Sequence, residues 1–121
     1  MVECLLIDRD PLERHRVSLL LSDLGLDFAE SSAALDGLQY CNDNSPDVVV
    51  MAASPEGMTP SDFIRRVRRT ARGKKPVVIL YADKPDADEI GQSILEGAAE
   101  FIMQPFDREL LQFKLHQAGV I

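Results

Sequence analysis

Short apolar runs alternate along this chain with stretches in which apolar residues recur every three or four positions. Two of the runs, residues 48–53 and 77–82, are continuously apolar apart from one tyrosine hydroxyl, as is typical of strands buried on both faces. The first stretch with helical spacing places Val17, Leu21 and Leu24 on one face of a helix. The pattern therefore predicts strands that alternate regularly with helices.

The predicted elements follow one another in strict strand–helix order. Strands are expected at residues 2–7, 26–30, 48–53, 77–82 and 99–103, and helices at residues 11–24, 33–43, 60–71, 86–96 and 105–118. Asp10 is a candidate N-cap of the first helix and Gly25 its stop signal, while Ser31 and Ser32 are candidate caps of the second. This order predicts parallel strands with right-handed crossovers, and hence a three-layer, doubly wound α/β sheet. In such sheets the chemistry lies at the carboxyl ends of the strands.

Composition and charge indicate one globular domain spanning residues 1–121. Hydrophobic residues make up 45% of the 121 residues and charged residues 27%. The formal net charge of −7 argues against nucleic acid as a ligand, so we expect no DNA binding. No apolar run approaches the length of a membrane span and no signal-peptide pattern is present, so we expect a cytoplasmic protein without membrane insertion. Cys4 and Cys41 form no metal or redox motif and fit free thiols.

Five short segments carry a resemblance to a known family. They are residues 5–12 (LLIDRDPL), 46–52 (PDVVVMA), 76–82 (PVVILYA), 97–102 (GAAEFI) and 104–107 (QPFD). In this order and at this spacing they resemble the receiver domain of bacterial response regulators, the CheY-like domain, over essentially the whole chain. The resemblance implies a flavodoxin-like fold with strand order 2-1-3-4-5. It also implies a cis peptide bond between Gln104 and Pro105.

The phosphorylation pocket of that family is the part that this chain does not reproduce. The resemblance implies two magnesium-binding acids after strand one, a phosphoacceptor aspartate ending strand three, a hydroxyl residue ending strand four and a lysine after strand five. The pocket positions of this chain hold Asp8, Arg9, Asp10, Ala52, Tyr81, Gln104 and Pro105. Phosphoryl transfer needs an oxygen nucleophile, which an alanine lacks. Magnesium prefers several oxygen ligands, whereas this pocket has lost a carboxylate and gained a cation. We therefore expect no phosphorylation, no catalysis, no metal and no other cofactor.

The pocket substitutions are consistent with one another. Without the acceptor aspartate, a buried lysine would lack its partner, and the neutral Gln104 avoids that cost. Two placements of Arg9 remain open. Its guanidinium either supplies, beside Asp8, the positive charge that a metal would have brought, or it points to solvent.

Residues 65–75 form a basic segment that contains seven of the chain's 13 basic residues and no acid. The seven are Arg65, Arg66, Arg68, Arg69, Arg72, Lys74 and Lys75. One interpretation is a solvated helix C-terminus, where the helix dipole favours cations. The other is an anion site for an acidic protein surface or a cyclic dinucleotide, since some relatives in the receiver family bind cyclic dinucleotides through arginine-rich segments. In both cases we expect the segment to contribute little to stability.

The resemblance also implies an output and dimer face made by helix four, strand five and helix five. This face would hold partners, including a second copy of the chain, and would present Asp86, Asp88, Glu89, Gln92, Asp107, Arg108 and Lys114. The family places a signalling aromatic on strand five. Phe101 and Ile102 are the candidates here, so that switch is expected to be rebuilt or frozen.

Three hypotheses for function result. The leading one is a phosphorylation-independent pseudo-receiver, an adaptor for another protein of a bacterial two-component pathway: a histidine kinase, a phosphotransferase or an output protein. The alternative is a module that binds a nucleotide second messenger, a cyclic dinucleotide, through the basic segment. The third is an active phosphoacceptor.

Overall fold

The computed structural model describes residues 2–70 and 75–121. Its strands are β1 (Glu3–Ile7), β2 (Asp27–Ser31), β3 (Val48–Ala52), β4 (Val77–Ala82) and β5 (Glu100–Met103). Its helices are α1 (Pro11–Asp23), α2 (Ala34–Asn44), α3 (Pro60–Thr70), α4 (Ala87–Glu96) and α5 (Arg108–Gln117). The predicted alternation of strands and helices is therefore confirmed, with boundaries that differ by at most three residues.

The strands form one parallel sheet in the order β2-β1-β3-β4-β5, as predicted. Alternate residues of each central strand point to opposite faces, so the sheet carries two apolar cores. Leu6 and Val50 belong to the core beneath α1 and α5, and Leu5 and Val49 to the core beneath α2 and α3. Helix α4 packs against α3. This arrangement confirms the three-layer, doubly wound sheet.

The ends of α1 follow the local signals in the sequence. The side chain of Asp10 caps the helix by accepting a hydrogen bond of 3.0 Å from the backbone N–H of Leu12. Pro11 occupies the first turn, where its missing N–H costs nothing. After the helix, Gly25 has a φ of 74°, a left-handed conformation that glycine adopts without strain.

The predicted caps of α2 are wrong. Ser31 is the last residue of β2, because it pairs with Ile7 of β1, and the N-cap is Ala33, whose side chain makes no capping hydrogen bond. The backbone N–H of Ala34 instead donates to the carbonyl of Glu56 at 3.1 Å. A neighbouring loop thus satisfies a donor at the helix start that a serine side chain was expected to satisfy.

Three further features bear on the predictions. The Gln104–Pro105 peptide bond is cis, as expected. Cys4 and Cys41 are buried free thiols. None of the helices within the described ranges is long and apolar enough to cross a membrane. The predicted end of helix three at residue 71 lies outside the described residues, as do Arg72 and Lys74 of the basic segment.

Candidate functional site

A cavity of about 490 Å³ opens at the carboxyl ends of the strands. The loops after β1, β3, β4 and β5 converge there because parallel strands all end at the same edge of the sheet. All seven residues predicted for the pocket line the cavity: Asp8, Arg9, Asp10, Ala52, Tyr81, Gln104 and Pro105. Glu13, Arg16, Ser54, Asp83 and Lys84 also line it.

Asp8 and Tyr81 form a buried hydrogen bond in the middle of this edge. The Tyr81 hydroxyl donates to Asp8 Oδ2 at 2.7 Å, and the backbone N–H of Asp10 donates to Asp8 Oδ1 at 2.9 Å. The Asp8 residue is only 4% exposed and Tyr81 is fully buried. Burial, and then the hydrogen bond to Asp8, raise the pKa of Tyr81 far above its ordinary value. The hydroxyl therefore remains a proton donor to the carboxylate at any physiological pH.

The placement of Arg9 favours the alternative in which its side chain points to solvent. Arg9 is exposed at the rim of the cavity. In the described structure the Asp8 carboxylate accepts hydrogen bonds from the Tyr81 hydroxyl and from the backbone N–H of Asp10, not from the Arg9 guanidinium. A tyrosine, rather than an arginine, therefore satisfies the remaining acid of the pocket.

A second polar cluster connects α1 to the loop after β5. Gln104 Nε2 donates to Glu13 Oε2 at 2.6 Å, and Arg16 Nε donates to the same oxygen at 3.1 Å. Arg16 Nη1 donates to the carbonyl of Phe106 at 3.0 Å, and its guanidinium lies 5.0 Å from the centre of the Phe106 ring. The sequence analysis missed Glu13 and Arg16. Their spacing of three residues on α1 signals only that they can pair with each other.

Ala52 and Tyr81 are neighbours in register at the ends of β3 and β4. Both pack in the same apolar cluster, where the Tyr81 ring also meets Phe106 edge-on with ring centres 5.5 Å apart. The small residue on β3 thus stands beside a large one on β4. The pocket is consequently walled by an aromatic ring instead of being lined by the short polar side chains that the resemblance implied.

The residues of this edge do not fit magnesium. The Ala52 side chain offers no oxygen, and the second acid position holds the cation Arg9. Both oxygens of the Asp8 carboxylate already accept hydrogen bonds, and the Asp10 side chain caps α1. In addition, the described residues contain no group of three or more histidine, cysteine or acidic side chains placed to share an ion.

The family model of the response regulator receiver domain matches residues 4–116. The chain belongs to this family. Among its relatives is the transcriptional regulatory protein AfsQ1 of Streptomyces coelicolor, 27% identical over 115 residues that cover 95% of this chain and 50% of AfsQ1. Protein PilH of Pseudomonas aeruginosa is 24% identical over 112 residues, 92% of each chain. This receiver domain thus spans about half the length of AfsQ1 and most of PilH.

Solved structures agree on the fold. The chemotaxis response regulator CheY4 of Vibrio cholerae has a TM-score of 0.86 at 21% identity and covers 98% of both chains. The receiver domain of the sensor histidine kinase PA1611 of Pseudomonas aeruginosa has a TM-score of 0.84 at 17% identity and covers 98% of both chains. That structure holds a magnesium ion in its active-site cleft. At these identities the likeness concerns the fold alone.

The basic segment of the receiver domain is partly engaged within the fold. Arg65 lies 2.6 Å from Asp62 on α3 and 3.5 Å from Glu96 on α4, and the hydrogen bond to Asp62, followed by the charge of Glu96, raises its pKa. The Arg68 guanidinium lies against Gly97, where an added Cβ would collide with it. Arg65 thus contacts α4 and Arg68 the glycine that ends it, while the small contribution of the segment to stability stays a prediction. Arg66, Arg69 and Lys75 are exposed, and anion binding by the segment stays a prediction.

Several residues predicted for the output face also make contacts within the fold. Asp86 and Asp107 cap α4 and α5, and Glu89 accepts a hydrogen bond of 3.0 Å from the backbone N–H of Ser61 on α3. Lys114 is half-buried and pairs with Glu100 at 3.0 Å. The exposed members of the predicted set are Asp86, Asp88, Gln92, Asp107 and Arg108. Exposed apolar side chains also occur on α4, β5 and α5: Ile94, Leu95, Met103, Leu110 and Phe113.

Both candidates for the signalling aromatic are packed. Ile102 is buried in the core beneath α1 and α5, and Phe101 packs against the core on the opposite face of the sheet. The two side chains alternate across β5, as neighbouring strand residues must. Neither side chain lines the cavity at the carboxyl ends of the strands.

Proposed function

We propose that this receiver domain is a pseudo-receiver, an adaptor that binds another protein of a two-component pathway without being phosphorylated. The observation that carries the proposal is Ala52 at the end of β3, where a methyl group occupies the position that the family uses for its phosphoacceptor. The partner would be a histidine kinase, a phosphotransferase or an output protein. The proposal includes a cytoplasmic location and no catalytic activity.

The hydrogen bonds around Ala52 support a pocket that has been converted to a structural role. The Tyr81 hydroxyl is used by Asp8 and the Gln104 amide by Glu13. In a phosphorylated pocket, polar groups at these two positions would have to remain free for an incoming phosphoryl group. Here each has an internal partner, so filling the pocket with an anion would break existing bonds.

The surface made by α4, β5 and α5 is the proposed partner face. Ile94, Met103 and Phe113 are each at least half exposed there, at 57%, 50% and 53%. Exposed apolar side chains on one face favour protein association because burying them removes apolar surface from water. A second copy of the chain is a further candidate for the same face.

The first test is covalent labelling. The chain is incubated with acetyl phosphate and magnesium and examined by intact-mass spectrometry, with an aspartate-bearing receiver domain as positive control. We expect labelling of the control and none of this chain. Incorporation of an acid-stable or acyl phosphate into this chain under the same conditions would refute phosphorylation independence.

The second test concerns the partner. Two-component proteins captured from the source cell are purified, and their affinity for the chain is measured with and without acetyl phosphate. We expect the same Kd in both conditions. Phe113→Asp should weaken binding, whereas Leu12→Asp, which changes an 82% exposed leucine on α1, should not. If only Leu12→Asp weakens binding, the partner face has been misplaced.

Binding of a cyclic dinucleotide is the second candidate function, and the exposed Arg66, Arg69 and Lys75 support it. Calorimetric titration with cyclic dinucleotides should then give an affinity that falls with added salt, because screening weakens the attraction between exposed charges. Arg69→Gln with Lys75→Gln should reduce the affinity, while Arg108→Gln on α5 serves as a matched charge control. No heat with any cyclic dinucleotide would exclude this candidate.

A further inference from the structure

The cluster that joins α1 to the loop after β5 has a role that the proposed function does not by itself explain. We infer that Glu13 is a positioning residue, an internal anion that holds residues 104–106 in the conformation recognised by the partner. The inference rests on the proposed function, because a loop that is held permanently serves an adaptor whose binding needs no covalent signal.

The contacts of Glu13 are concentrated on one oxygen. Its Oε2 accepts from Gln104 Nε2 at 2.6 Å and from Arg16 Nε at 3.1 Å. Both bonds are strengthened by the negative charge of the acceptor, and the bond to Arg16 also by the positive charge of the donor. One carboxylate on α1 therefore restrains a side chain 91 residues further along the chain.

Arg16 extends the restraint from Gln104 to Phe106. Its Nη1 donates to the Phe106 carbonyl at 3.0 Å, and the guanidinium lies over the Phe106 ring. Arg16 Nη2 is buried and has no hydrogen-bond partner among the described residues, so this end of the guanidinium depends on its packing against the ring. Removing the Glu13 charge would leave Arg16 without its acidic partner, next to the carbonyl that it holds.

The restrained residues lead directly into α5, whose first helical residue is Arg108. Phe106 is 5% exposed and packs against the Tyr81 ring, so a displaced loop would disturb both the pocket wall and the start of α5. Helix α5 carries part of the proposed partner face. The geometry thus connects Glu13 to partner binding through contiguous contacts.

The experiment compares Glu13→Gln with Glu30→Gln. Glu30, on β2, is a matched control because it pairs at 3.3 Å with Arg14, which lies on α1 as Glu13 does. The exposure of its side chain is similar, 42% against 39% for Glu13, but its ion pair does not involve the loop after β5. Amide hydrogen exchange is measured by NMR at Gln104, whose N–H is bonded to the carbonyl of Ala82 at 2.8 Å. We expect exchange at this amide to rise about tenfold in Glu13→Gln, beyond any change in global stability, and not in Glu30→Gln.

Partner affinity is the second measurement, because a residue with a purely structural role would not change the affinity of a fully folded variant. Glu13→Gln should weaken partner binding at a temperature where the variant is fully folded, while Glu30→Gln should not. If Gln104 exchange and partner affinity change equally in the two variants, the inference is wrong.

A double-mutant cycle covers the case in which Glu13→Gln folds poorly. Glu13→Gln and Gln104→Ala should be non-additive in exchange and in stability if the two side chains act through their shared bond. Additive effects would overturn the inference. Labelling of the chain by acetyl phosphate would instead refute the proposed function while leaving a measured coupling between Glu13 and Gln104 intact, so the two failures are distinguishable.

Discussion

The Tyr81→Phe substitution tests the central feature of the pocket with the loss of a single oxygen. The hydroxyl donates to Asp8 Oδ2 at 2.7 Å, and the Asp8 residue is only 4% exposed, so water cannot easily replace the lost donor. A hydrogen bond to a charged group contributes about 1.5–3 kcal/mol to stability. We therefore expect the free energy of unfolding to fall by about this amount. For a domain of this size that corresponds to a melting temperature lower by about 6–12 °C.

The assay is urea denaturation followed by circular dichroism at pH 7, with thermal unfolding as the second measurement. Tyr40→Phe is the matched control, because Tyr40 is a half-buried tyrosine on α2 outside the pocket. Its loss of a hydroxyl should change stability by no more than about 0.5 kcal/mol. If Tyr81→Phe costs no more than Tyr40→Phe, Asp8 does not depend on the hydroxyl and the account of the pocket fails.

The same variant should change the response to alkaline pH. Burial, and then the bond to Asp8, raise the pKa of Tyr81, so the folded chain keeps its hydroxyl protonated where the unfolded chain has begun to ionise, above about pH 10. The unfolded state then binds fewer protons than the folded state, and stability falls as pH rises. Tyr81→Phe lacks this contribution. The stability difference between wild type and variant should therefore shrink above about pH 10.

Three further outcomes are expected. Gly37→Ala should lower the urea midpoint, because a Cβ there collides with the Ile7 side chain and overpacking costs about 1–3 kcal/mol. Gly91→Ala, on the open surface of α4, should instead raise stability by about 0.5–1 kcal/mol, and a change of the same sign in both variants would contradict the packing. Ala52→Asp should not accept phosphate from acetyl phosphate by mass spectrometry, because the pocket still lacks its second acid and its lysine; robust labelling would show that one residue alone had disabled it. Burial raises the pKa of Cys4 to about 12, so this thiol should contribute a fall in unfolding free energy of about 1.4 kcal/mol per pH unit above about pH 9, and Cys4→Ala should lose that contribution; an unchanged alkaline slope would argue against the buried thiol.

Local sequence patterns were sufficient for the layered parallel sheet, while the strand order was implied by the family resemblance. Continuous apolar runs such as residues 77–82, alternating with helical spacing, predicted a parallel sheet covered on both faces, and the structure contains it. Asp10 and Gly25 marked the ends of α1 because capping and left-handed turns depend on residues next to the helix itself. Parallel strands end at one edge, so the sequence also predicted which residues would meet there.

What those residues do to one another was decided by the tertiary structure. The pocket substitutions were visible in the sequence. The sequence did not indicate that the Tyr81 hydroxyl would donate a hydrogen bond to Asp8, which lies 73 residues away. The engagement of Arg65 with Glu96, across 31 residues, turned part of an apparent surface charge run into a contact between helices.

The bond between Glu13 and Gln104 had no signal in the sequence at all, since α1 and the loop after β5 are adjacent only in the folded sheet. Periodicity and capping are properties of neighbours along the chain. The pairing of distant polar side chains depends instead on how helices are positioned over the sheet and on which donors and acceptors that position leaves within reach.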